Sequence, residues 1–131
     1  MPEKPKKLRL SDFYTAPVAE KGRKVPLALP DGTSTEFYLM VMGGDAPAAR
    51  KALTDAVRAI RAIPSELSEP ERAAARDKAV LEQRCTLVIG GELPGGFSKE
   101  AVRKLLINNP GLAANVERIS TDPALFYARD Q

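Results

Sequence analysis

The 131-residue chain has no histidine, no tryptophan and a single cysteine, and only 5% of its residues are aromatic. Each shortage excludes something. Without histidine, the commonest general base and metal ligand is missing. Cys/His metal sites are excluded by count. One cysteine, Cys85, cannot form an intramolecular disulfide, which fits a reducing compartment. Its neighbour Arg84 does not by itself activate it, and a lone cysteine beside an apolar run reads as a small buried hydrophobe. With so few aromatics, the core has to be built from Leu, Val, Ile and Ala, which bury less area per side chain. Charge of either sign is also scarce in excess: 20 basic against 17 acidic residues leave a net +3. That is too little to make the whole domain a nucleic-acid binder. The N-terminus has no apolar segment of signal-peptide type, and no apolar run is long enough to span a bilayer. The expectation is a soluble cytoplasmic protein without catalytic residues, cofactor or metal.

What is present is ordinary for a globular domain: 44% hydrophobic and 28% charged residues. Residues 1–23 begin with "MPEKPKKLRL", in which Lys4, Lys6, Lys7 and Arg9 crowd around two prolines. This reads as a basic, flexible arm, with a phosphate-gripping role as the alternative. Residues 24–131 read as one α+β domain. Val25, Leu27 and Leu29 alternate before Pro30-Asp31-Gly32, and the return run Thr35 to Met42 completes a β-hairpin. Both faces of that second strand are apolar (Phe37, Leu39 and Val41 against Tyr38, Met40 and Met42). Cover on both sides is therefore expected, one side by a second subunit.

The period then turns helical. Asp45 is placed as N-cap of a long helix with Pro47 in its first turn. Its predicted buried stripe is Ala49, Ala52, Leu53, Ala56, Val57, Ile60 and Ile63, and Pro64 stops it. Ser68 and Glu71 form a capping box for a charged, Ala-rich helix reaching Arg84. Thr86 to Ile89 suits a short strand. The glycines at 90, 91, 95 and 96 match neither nucleotide-binding fingerprint, so they read as a turn. From "FSKEAVRKLLINNPGLAANVERI" a pair of short helices is predicted. Ser98 caps the first, Phe97 and Val102 form a hydrophobic staple, and Asn109-Pro110 breaks into the second, where Leu112, Val116 and Ile119 share a stripe. Asp122-Pro123 starts a last short helix.

The order and spacing of these motifs resemble the tail assembly chaperones of long-tailed bacteriophages over about Lys24 to Phe126. The turn "LPDG", the run "FYLMVMGGDAPAARKAL" and the segment "FSKEAVRKLLINNPGLAANVERISTDPALF" carry the resemblance. The chain departs from that family's pattern at Leu87–Gly90 and at Pro123–Phe126. The resemblance implies a non-enzymatic factor of the host cytoplasm that keeps the tape measure protein soluble and recruits tail tube subunits, in part through a frameshifted longer form. Such a factor self-associates and is absent from the finished virion. A structural tail or head-completion protein retained in the particle is the competing reading. For the partner surface we assign Phe97, Leu106, Leu112, Val116 and Phe126, with Leu105 in the core. The other assignment open to the pattern puts all of these side chains in the core.

Overall fold

The structure, a computed structural model describing residues 7–127, is α+β: a three-stranded antiparallel sheet joined to a larger helical part. Strand β1 (Arg23–Ala28) pairs with β2 (Ser34–Val41) in the register Arg23↔Val41, Val25↔Leu39 and Ala28↔Ser34. The turn between them closes locally. Asp31 Oδ1 accepts from the Thr33 N–H at 2.9 Å, and the Gly32 N–H donates to the Leu29 carbonyl at 2.8 Å. Hydrogen bonds from the Thr33 backbone N–H and hydroxyl to the ionised carboxylate hold Asp31 below its ordinary pKa. A third strand, β3 (Val88–Glu92), lies on the other side of β2. It starts two residues later than Thr86, because the preceding helix continues without a break to Leu87. One sheet face, with Val25, Leu39 and Val41, is buried; Tyr38 and Met40 on the other are half-buried, and Lys24 Nζ sits 4.2 Å from the Tyr38 ring centre.

Helix α1 (Ala16–Lys21) revises the N-terminal boundary. Its Ala19 is fully buried, and the Ala19 carbonyl accepts from the Gly43 N–H at 3.0 Å. Residues 16–23, assigned above to a flexible arm, therefore belong to the domain; residues 1–6 lie outside the described residues. Gly43 and Gly44 form a junction. The Gly44 N–H donates to the Ser120 carbonyl, and the buried Ser120 hydroxyl donates back to the Met42 carbonyl at 2.8 Å. Two adjacent glycines let the strand end, the first helix and the C-terminal helices approach within hydrogen-bonding distance.

Helix α2 (Pro47–Arg61) and helix α3 (Glu69–Leu87) make an antiparallel hairpin. The N-cap of α2 is Ala46, not Asp45. Asp45 is instead positioned to accept the Tyr127 hydroxyl at 3.3 Å, a bond to the far end of the chain. The stripe predicted on α2 also divides. Its alanines Ala49, Ala52 and Ala56 are buried, while Leu53 and Val57 are exposed. Small residues on α2 and on the facing side of α3, where Ala79 is buried, let the two backbones come close. Helices α4 (Lys99–Asn108), α5 (Pro110–Thr121) and the single turn α6 (Pro123–Phe126) close the core. Ser98 Oγ caps α4 through the Ala101 N–H at 3.0 Å, and Asn109 Oδ1 caps α5 through the Leu112 N–H at 3.1 Å. Arg84 of α3 holds α5 by donating from Nε and Nη2 to one Glu117 oxygen, at 3.1 and 2.8 Å.

Candidate partner-binding surface

Of the five side chains assigned to a partner surface, the structure leaves one clearly exposed. Leu106, Val116 and Phe126 are core residues at 2%, 0% and 4% exposure, and Leu112 packs partly buried against them. The assignment of Leu105 and Leu106 is reversed as well: Leu105 is the half-buried one. Adjacent leucines project about 100° apart, and both fall within helical reach of Val102, at i+3 and i+4. The choice between them is made by where α3 and α5 lie, which the helix itself does not record. Phe126 is fixed from three directions. Its ring meets Tyr127 edge-on at 5.0 Å, its carbonyl accepts from Arg23 Nη1 at 3.2 Å, and Gly43 leaves no room for a Cβ beside it.

Phe97 remains on the surface at 38% exposure, and it is not alone there. With Met42, Ala48, Cys85, Val88, Ile89 and Val102 it lines an open groove of about 670 Å³ at the meeting of α3, β3 and α4. Ile89, 46% exposed, is the outward residue of the pair Val88-Ile89. The period-2 alternation of a strand carries that signal in the sequence, once the strand start is placed at Val88. The groove rim is charged and mixed in sign: Glu82, Lys99, Glu100 and Arg103. Arg103 donates to Glu82, and this bond raises the Arg103 pKa, so two rim charges are already matched.

Cys85 sits half-buried in the groove wall. Burial raises its thiol pKa above the ordinary 9.0, against a smaller lowering by Arg103 and a further raising by Glu82. At neutral pH the group is a protonated thiol, a poor nucleophile. Among the described residues no three His, Cys, Asp or Glu side chains are placed to hold a metal ion. No helix among them is long and apolar enough to cross a membrane.

Two further apolar surfaces are exposed. One is formed by Leu8, Leu10, Phe13 and Tyr14 in the segment that includes a 3-10 turn at Leu10–Phe13. It borders a shallow depression shared with Val18, Lys24 and Tyr127. The other is the outer face of α2. No family model matches the chain, and no curated protein or solved structure is significantly similar to it.

Proposed function

We propose that this chain is a non-enzymatic assembly factor, a tail assembly chaperone of the kind long-tailed bacteriophages use. In this reading it binds the tape measure protein in the host cytoplasm, keeps it soluble while tail tube subunits are recruited, and leaves before the particle is complete. The observation that supports the reading is the groove around Phe97 and Ile89. Its floor is apolar, its rim is charged, and its single thiol, Cys85, is held protonated. Such a surface contributes contact area and the exclusion of water, which is what an aggregation-prone apolar client needs. The client is the one implied by the resemblance of the motif order from Lys24 to Phe126 to that family.

The test is co-expression of the chain with a tape measure protein. The expected result is a soluble tape measure that co-elutes with the chain on size exclusion, compared with an insoluble one expressed alone. Equal insolubility in both cases would refute the reading. Mass spectrometry of purified particles separates a chaperone, which is absent, from a tail or head-completion component, which is present in fixed stoichiometry.

A further inference from the structure

Helix α2 buries three of its alanines and leaves two of its larger apolar residues in solvent. Ala49, Ala52 and Ala56 are buried, while Leu53 and Val57 are 51% and 37% exposed. Burying a leucine gains far more free energy than burying an alanine, so this helix has a second apolar face without a cover among the described residues. Leu53, Val57 and Ile60 recur at i, i+4 and i+7, which is one continuous helical stripe. Scattered single leucines on a surface mean little, but here exposed Leu53 and Val57 and half-buried Ile60 line one stripe over two turns.

What flanks the stripe decides what fits it. At about 100° per residue, one flank is the alanine face already packed on α3. The other flank is Arg50 and Arg61, with Arg58 further round the helix. Lys51 is matched by Asp55 at 2.8 Å. No carboxylate among the described residues pairs with Arg50, Arg58 or Arg61.

We propose that this face of α2 docks an amphipathic helix of another protein, one whose apolar stripe is bordered by aspartate or glutamate. An antiparallel two-fold pairing of α2 with a second copy would set the arginine row against the same row, and like charges facing each other oppose it. A nucleic acid would satisfy the arginines and leave Leu53 and Val57 against phosphate and water, so the acidic helix is the better match. The site is separate from the Phe97 groove and rests on charge and apolar spacing alone. Its failure would leave the tail-assembly reading standing, and the converse also holds.

The probe is a fluorescent helical peptide of about four heptads with a leucine stripe flanked by glutamates, compared with the same peptide carrying lysines in place of the glutamates. With the full chain at low salt, the glutamate peptide is expected to bind at least about tenfold tighter by fluorescence anisotropy. Amide NMR shifts should concentrate in residues 47–61. Leu53→Gln/Val57→Gln, which alters exposed positions and should leave the circular dichroism unchanged, is expected to lose about tenfold in affinity or more. Arg50→Glu/Arg61→Glu is expected to reverse the preference between the two peptides. Any of the following would overturn the proposal: equal binding of both peptides or of neither, shifts centred outside α2, self-association that the Leu53/Val57 variant abolishes, or tighter binding of a single-stranded oligonucleotide than of the glutamate peptide.

Discussion

Gly43 stands where strand, first helix and last helix meet, and a single added carbon tests how tightly they are joined. A Cβ there would lie 2.9 Å from both the Ala19 Cβ and Phe126 Cε1, so Gly43→Ala overpacks a closed corner. The expected loss is about 1–3 kcal/mol by urea denaturation. Gly91→Ala should be at least as damaging, because its φ is +145° and the new Cβ would fall 2.3 Å from the Tyr38 carbonyl oxygen, a backbone atom of the central strand. Neither requirement is legible in the sequence. Gly91 reads there as part of a turn, and only the approach of distant side chains at Gly43 and of distant backbone at Gly91 shows why no Cβ fits. Cys85 gives a chemical check at the same scale. Its folded thiol binds its proton more tightly than the unfolded thiol does. Between the ordinary value of 9.0 and the higher folded value the native state therefore carries more protons, and stability declines as pH rises through that window. Alkylation by iodoacetamide at pH 7–8 is expected to be slower for the folded protein than for the chain in denaturant. Equal rates would show the thiol to be neither shielded nor shifted.

At the scale of elements, the helix starts were the most legible part of the fold. Ser68 caps α3 as its sequence predicts, with Oγ accepting from the Glu71 N–H at 3.3 Å and Glu71 Oε1 accepting from the Ser68 N–H at 3.4 Å. Ser98 caps α4 in the same local way. Such caps involve residues three apart, so a window of four residues contains the whole interaction. Ser68→Ala is expected to cost about 1 kcal/mol, read as a lower midpoint of thermal unfolding; an unchanged midpoint would show that packing on α2 alone fixes the start of α3. Asp45 fails as a cap because its partner, Tyr127, is 82 residues away. The α2 stripe was misread for a related reason. Periodicity identifies seven apolar positions on one broad face but not which part of that face the neighbouring helix covers, and close Ala–Ala packing selected the small residues.

The described residues form a small sheet with a helical hairpin and four further α-helices folded over one buried face, and their remaining apolar surface lies in separate places. The α+β class and the order of hairpin, long helix, charged helix and short C-terminal helices followed from hydrophobic period and punctuation. The third strand's place beside β2, and the burial of Leu106, Val116 and Phe126, depend on contacts between segments far apart in the chain. They were out of reach of any local pattern. Of the groove residues, Phe97 stood out in the sequence by its place before the Ser98 cap, while Ile89, which lines the same groove, needed the strand register. The central claim is that this groove holds an apolar client, and Ile89→Ser/Phe97→Ser tests it most directly. Both side chains are substantially exposed, so the double variant should keep its circular dichroism and lose little stability. The decisive measurement is the soluble fraction of co-expressed tape measure protein beside wild-type chain and beside the variant. The account predicts a soluble client with the wild type and a pelleted one with the folded variant. A folded variant that keeps the client as soluble as the wild type does would contradict it.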